Sequence, residues 1–256
     1  MSKLLAQQIH AAWTTRAEIA TPSAGEFDMA AAYSTEAELC RMRQAEGHVA
    51  VGRKVGFANK AMWRILKLET LVWAHMYDDT VHFGREFSLA ACRTPRIEPE
   101  IVFKLARPLS AGMDAAAVLA STEWIALGFE IIDCPYPDWQ FQPTDFVAAY
   151  GLHRGLLIGS PLRIESAAVP ELVTGLAECK IRLLKNDALV EEGAGKNSLR
   201  SPALCVAELA AVTALGAGEL ISTGTLTAAQ PISPGESWRA EVVGLPLAPV
   251  VGHFRI

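Results

Sequence analysis

Pro95-Arg96-Ile97-Glu98-Pro99-Glu100-Ile101-Val102-Phe103-Lys104-Leu105 is the stretch whose reading decides the fold class of this chain. Its odd positions, Ile97, Pro99, Ile101, Phe103 and Leu105, are all apolar. Its even positions, Arg96, Glu98, Glu100, Val102 and Lys104, are mostly charged. A period of two over this length marks a half-buried strand, with one face on a core and the other on water or a cavity. Glu98 and Glu100 then project from one face, one pleat apart, and repel unless something positive lies between them. A hard divalent cation held by oxygen ligands would supply that charge; a solvated sheet edge is the alternative this stretch alone leaves open. Pro99 has no N–H to give a ladder, which predicts an edge or irregular strand.

A second run, Trp124-Ile125-Ala126-Leu127-Gly128-Phe129-Glu130-Ile131-Ile132-Asp133, bears on that choice. It is almost wholly apolar and carries a lone Glu130 in its second half. Carboxylates are rarely buried unless paired or bound to metal. Three carboxylates from two strands, with coordination positions left for water or substrate, suit Mg2+ or Mn2+ better than zinc.

Outward from these strands, the order of elements excludes a doubly wound sheet. Residues 2–20 place Leu5, Ile9, Ala12 and Trp13 on one helical face, and Ser34-Thr35-Glu36 opens a second helix that Gly47 stops. These helices predict an N-terminal layer, residues 1–47, ahead of a catalytic domain spanning 48–256. His48 to Phe57 reads as a strand carrying Lys54, which either snorkels to solvent, the reading the stretch alone favours, or aims into a cavity. His75, Asp78 and Asp79 either line a site or form a turn. Asp114 caps a helix over 115–121, and Thr144 is expected to cap a turn of helix reaching Ala149. Leu176 to Glu191 alternates around Asn186-Asp187 and predicts a hairpin. Ser201-Pro202 starts a helix reaching about Leu215, and Ser237 to Phe254 supplies a final strand pair. Many short strands broken by single helices, with no βαβ alternation, give an α+β fold with a mostly antiparallel or rolled sheet.

Of the 256 residues, 51% are hydrophobic and 20% charged, enough for a sizeable core and too few charges for gross disorder. The net charge of −5 gives no general attraction for nucleic acid or an anionic membrane. No apolar run approaches a membrane span, and the N-terminal residues lack a signal-peptide core. Five scattered cysteines with no CxxC read as reduced thiols of a cytoplasmic protein. The glycine loop Gly193-Ala194-Gly195-Lys196 lacks the Ser/Thr after the lysine that a phosphate-binding loop requires.

Lys54-Val55-Gly56-Phe57 with Asn59-Lys60-Ala61-Met62-Trp63, then Arg96-Ile97-Glu98-Pro99-Glu100-Ile101, then Phe129-Glu130-Ile131-Ile132-Asp133, resembles the 2-keto-4-pentenoate hydratase and oxalocrotonate decarboxylase branch of the fumarylacetoacetate hydrolase (FAH) superfamily. Thr223-Gly224-Thr225-Leu226-Thr227 and Pro234-Gly235-Glu236 agree with it, and the resemblance covers about residues 48–256. It implies an FAH-like mixed β-roll core, Mg2+ or Mn2+ on Glu98, Glu100 and Glu130, and a homo-oligomeric enzyme acting on a small 2-oxo or 2-hydroxy-dienoic acid. Lys54 matches the family lysine on the substrate side, expected to stabilise charge or move a proton, which requires burial to lower its pKa. Thr225 is expected to hydrogen-bond the substrate carboxylate, and Asp79 to activate water.

One segment departs from the family pattern. An Ala-Asp-Asn-Ala-Ser-like run is replaced here by Ala148-Ala149-Tyr150-Gly151-Leu152-His153-Arg154-Gly155, which puts the substrate tail in question. Arg154 is a candidate partner for a second substrate carboxylate, the alternative being a surface arginine. The activity expected first is hydration of a 2-hydroxy-2,4-dienoate to a 4-hydroxy-2-oxo acid in aromatic-compound catabolism. Decarboxylation of an oxalocrotonate-like diacid shares the same head chemistry. Acylpyruvate C–C hydrolysis ranks lower, because no histidine occupies an obvious water-activating position. A weakly catalytic metal-binding subunit paired with a decarboxylase or hydratase partner completes the alternatives.

Overall fold

The computed structural model describes residues 2–256. Its helices are α1 (Ser2–Thr15), α2 (Met29–Ala45), α3 (Trp63–Leu66), α4 (Ala115–Ala120), α5 (Pro143–Ala148), α6 (Val169–Glu178) and α7 (Pro202–Val212). Its strands are β1 (Ala50–Gly56), β2 (Val72–Tyr77), β3 (Val81–Phe83), β4 (Glu86–Ser88), β5 (Arg96–Leu105), β6 (Thr122–Ile132), β7 (His153–Ile158) and β8 (Leu162–Arg163). They continue with β9 (Lys180–Lys185), β10 (Ala188–Ala194), β11 (Leu220–Ser222), β12 (Gln230–Pro231), β13 (Ser237–Val243) and β14 (Val250–Arg255). Among the described residues, no helix is long and apolar enough to cross a membrane.

Two sheets form a mixed, mostly antiparallel core. The larger runs β2-β1-β11-β5-β6-β7-β3, with β12 on β5 and β8 on β6; the smaller runs β10-β9-β13-β14-β4. Ile97, Ile101 and Phe103, on the odd face of β5, are fully buried in one core cluster with Leu183, Trp238 and Phe254 of the smaller sheet and with residues of α4, α6 and α7. Each such side chain contributes roughly 1.5–3 kcal/mol on burial, so the alternation read from sequence fixes which face of β5 is left for polar residues. The helices α1 and α2 pack with α5 and Tyr150 in a second apolar cluster.

The structure corrects several boundaries. The strand bearing Pro99 is not at an edge: β5 lies inside the larger sheet, opposite β6 along its whole length. Between β11 and β12 its other side faces the 223–227 segment, where Leu226 N–H donates to Pro99 O at 3.0 Å. Helix α2 begins at Met29, not Ser34, because the Asp28 carboxylate accepts the Ala31 amide. Gln142, not Thr144, stands at the cap position of α5. Leu176 belongs to α6, where Val169, Leu172 and Leu176 form one buried stripe. The hairpin is therefore shorter, and Asn186 and Asp187 turn it with φ of 48° and 64°.

Candidate active site

Five adjacent strands bring one polar cluster onto one face. Lys54 on β1 is in register with Ser222 on β11, and Ser222 with Val102 on β5. Glu98 and Glu100 share the Val102 side of β5, and Glu98 lies directly opposite Glu130 on β6. His153, the first residue of β7, pairs with Ile132, two residues along the same face. The alternation of β5 and the lone carboxylate of β6 thus meet. An oxygen from each of Glu98, Glu100 and Glu130 lies within 4.8 Å of the others.

Each carboxylate except the half-buried Glu98 is fully enclosed. Glu100 Oε2 accepts from the Ser222 hydroxyl at 2.5 Å and from Gly224 N–H at 2.9 Å. Glu130 Oε1 lies 2.8 Å from His153 Nδ1. The remaining oxygens, Glu100 Oε1 and Glu130 Oε2, are buried without a hydrogen-bond partner. Lys54 Nζ lies 2.8 Å from Glu130 Oε2, an ion pair of close contact that lacks hydrogen-bond alignment at that oxygen. Its N–H donates instead to Gly151 O at 2.9 Å, and the Phe146 ring centroid lies 4.7 Å away. Gly151 is needed twice over. Its φ is +60°, and a Cβ there would meet Lys54 Cδ at 2.7 Å.

The electrostatics follow from burying like charges together. Burial, then the neighbouring carboxylates, push Glu98 and Glu100 up to about 8 against the pull of Lys54. Glu130 is also raised by burial, opposed by the Lys54 ammonium. For Lys54, burial works downward, but Glu130, Glu98 and Glu100 outweigh it and hold its pKa above the ordinary lysine value. This corrects two expectations. Lys54 does not snorkel, being 1% exposed, and its burial does not lower its pKa, because three carboxylates surround it. Burial beside Lys54 pushes His153 down to about 3.

The other expected site residues lie elsewhere. Asp79 sits in the turn after β2, where both its oxygens pair with the Arg43 guanidinium at 2.5–2.6 Å. Asp79 groups with His48 and Asp78, not with Glu98, Glu100 and Glu130. The Thr225 hydroxyl donates to Thr227 O at 2.9 Å within its own loop; it is the neighbouring Gly224 amide that reaches Glu100. Arg154 alternates to the face opposite His153, donates to Trp13 O at 2.9 Å and stacks 4.1 Å over the Trp13 ring. It is neither a free surface arginine nor a member of the carboxylate cluster.

Sequence reasoning missed Ser222, His153 and Arg96. Ser222 and His153 touch the cluster only once β11 and β7 flank β5 and β6. Arg96 was legible: it precedes Glu98 on the same face, stacks 4.0 Å over Trp139, and lines a cavity of about 940 Å3 with Arg93 and Arg16.

A divalent cation fits this donor set. The cluster offers carboxylate oxygens, its three carboxyl groups outnumber the single lysine, and one buried oxygen, Glu100 Oε1, has no partner at all. An unpaired buried carboxylate oxygen is costly unless a cation meets it.

Comparison with known proteins places these features in context. The family profile for the fumarylacetoacetate (FAA) hydrolase C-terminal domain matches residues 18–251. A 4-oxalocrotonate decarboxylase of a Pseudomonas species is 32% identical over 213 residues, covering 81% of this chain and 80% of that protein. A 2-hydroxyhexa-2,4-dienoate hydratase of Comamonas testosteroni is 30% identical over 229 residues, covering 86% and 84%. The structure of 4-oxalocrotonate decarboxylase from Pseudomonas putida G7, complexed with magnesium and adipate, superposes with a TM-score of 0.89 at 27% identity, covering 99% of this chain and 97% of that one.

Proposed function

The chain belongs to the fumarylacetoacetate hydrolase family, and from that premise we propose that it is a divalent-metal-dependent lyase that adds water to a 2-hydroxy-2,4-dienoate to give a 4-hydroxy-2-oxo acid. One observation carries the proposal: three carboxylates gathered around one buried lysine on a single sheet face, with Glu100 Oε1 left without a partner and Glu130 Oε2 met only by the Lys54 ammonium. Relatives named hydratase support the reaction, and the neighbour complexed with magnesium supports the ion class.

Glu98, Glu100 and Glu130 would hold Mg2+ or Mn2+. Bound there, the ion supplies a Lewis acid for the adjacent oxygens of a 2-oxo or 2-hydroxy acid head. The chain's own residues do the rest. Ser222 and the Gly224 amide keep Glu100 turned toward the centre. Lys54, spending one N–H on Gly151 O, keeps a further donor for negative charge that develops on a substrate oxygen. Phe146 and the strands around it exclude water from that ammonium. In the reaction, the far vinyl carbon takes a proton as the dienol O–H is lost, leaving a conjugated ketone. Water then adds across its double bond, its oxygen bonding the β carbon and its proton the α carbon.

Decarboxylation of a diacid is the second reading, and Arg96 favours it. This guanidinium lies one pleat outward from Glu98, makes no ion pair among the described residues, and lines the cavity beside Trp139. The two readings separate by product. Metal-loaded protein is given 2-hydroxypenta-2,4-dienoate or 4-oxalocrotonate, and products are followed by NMR and CO2 release. Hydration predicts a 4-hydroxy-2-oxo acid from the monoacid without CO2; CO2 from the diacid with an inert monoacid would replace it by the second reading. Arg96→Gln is expected to leave KM for the monoacid within about threefold and to raise KM for any diacid substrate by about tenfold or more, the loss of one charge-assisted contact.

A further inference from the structure

The segment 148–155 contains the most contorted stretch beside the site. Tyr150, Gly151 and Leu152 have φ of 55°, 60° and 58°, three left-handed residues in succession. Their path aims Gly151 O at Lys54 and delivers the His153 ring, 2% exposed, onto Glu130. Both ring nitrogens are committed: Nδ1 lies 2.8 Å from Glu130 Oε1 and Nε2 lies 3.0 Å from Thr80 Oγ1.

The hydrogen-bond geometry fixes the donor toward Glu130. The ring is buried and each of its nitrogens has a protein partner. A carboxylate only accepts, so the nitrogen facing Glu130 Oε1, Nδ1, carries an N–H. On its other side, Nε2 lies 3.0 Å from Thr80 Oγ1, and the Thr80 hydroxyl is itself anchored, donating to Tyr77 O at 2.9 Å. The ring is thus braced by Thr80 at Nε2 and directs Nδ1–H at Glu130 Oε1.

Glu100 and Glu130 are alike in one respect: each has one oxygen pinned by protein donors. Of their other oxygens, Glu100 Oε1 has no partner and Glu130 Oε2 meets only the Lys54 ammonium, 2.8 Å away. Ser222 and Gly224 pin Glu100 Oε2; His153 pins Glu130 Oε1. We infer that His153, held by Thr80, is the positioning residue that turns Glu130 Oε2 toward a bound divalent cation, and that it is not a water-activating base. The inference rests on the metal reading given under Proposed function. A base must reach water, and this ring has neither exposure nor a free nitrogen. Outer partners of this kind commonly change metal affinity 10- to 100-fold.

The test is Mn2+ binding to the metal-free full chain by calorimetry, with folding checked by circular dichroism. His153→Ala is expected to weaken Mn2+ about 10- to 100-fold. His153→Asn, whose amide N–H stands where Nδ1–H stood, is expected to recover most of that loss. Thr80→Val, which frees the ring, is expected to weaken binding about 3- to 10-fold. Saturating Mn2+ is expected to restore most of the turnover lost in His153→Ala. Equal Mn2+ affinity in wild type and His153→Ala overturns the inference alone, as does turnover that stays lost at saturating Mn2+. A wild type that binds no Mn2+ overturns the metal reading beneath it.

Discussion

Glu100→Gln is expected to lower metal-dependent turnover by about 10^3-fold or more while raising the melting temperature of the metal-free protein at pH 8. The two effects share one cause. Glutamine keeps the acceptor that takes the Ser222 hydroxyl and the Gly224 amide, so the local fold survives. It also puts an NH2 group near the bare Oε1 position, where a cation would need an anionic oxygen. Loss of one such ligand is of the order of 4 kcal/mol in the barrier. In the metal-free protein the same change removes one of three carboxylates that crowd a single lysine. Buried like charges destabilise, so their relief stabilises. Thermal melting and steady-state turnover of one preparation check both halves. A residue kept only for packing would lose stability and activity together.

The second large effect is a pH dependence that reverses with metal. Glu98 and Glu100 sit at about 8 in the folded protein, raised mainly by burial, against an ordinary value near 4.5 when unfolded. The folded state therefore holds more protons than the unfolded state between these values, and stability falls as pH rises. The contribution of these carboxyls is fully present below about pH 4.5 and is lost as pH passes through about 8. In chelator, the melting temperature is expected to drop by roughly 5–10 °C from pH 5 to pH 8.5, a few kcal/mol for a chain of this size. Millimolar Mg2+ is expected to restore most of that at pH 8 and to do little at pH 5, where protons already fill the cluster. Glu100→Gln should flatten the curve in chelator. A melting temperature that rises over this range, or one equally steep in Glu100→Gln, would show that the cluster does not set it.

The polar face of β5 was legible because a period of two leaves no freedom: once Ile97, Ile101 and Phe103 seek the core, Glu98 and Glu100 must face the other way. Glu130 was legible because a carboxylate inside an apolar strand needs a partner. What lay outside reach was set by neighbours distant in sequence. Pro99 reads locally as a residue of an edge or irregular strand, and β5 is interior because the irregular 223–227 segment, not a strand, fills the gap beside it. The depth of Lys54 depends on Phe146 and Gly151 closing over it, about a hundred residues further along the chain. Asp79 seemed free because its partner, Arg43, comes from the N-terminal helices. His153 was invisible as a site residue because only the left-handed run before it turns its ring onto Glu130.

The most direct test of the central claim is the ultraviolet assay of metal-stripped protein with 2-hydroxypenta-2,4-dienoate, wild type beside Glu100→Gln, before and after Mg2+ is added. No loss of dienol absorbance is expected in chelator, rapid loss in wild type once Mg2+ is present, and almost none in Glu100→Gln under the same conditions. Full turnover in chelator, or Mg2+-dependent turnover undiminished in Glu100→Gln, would contradict it.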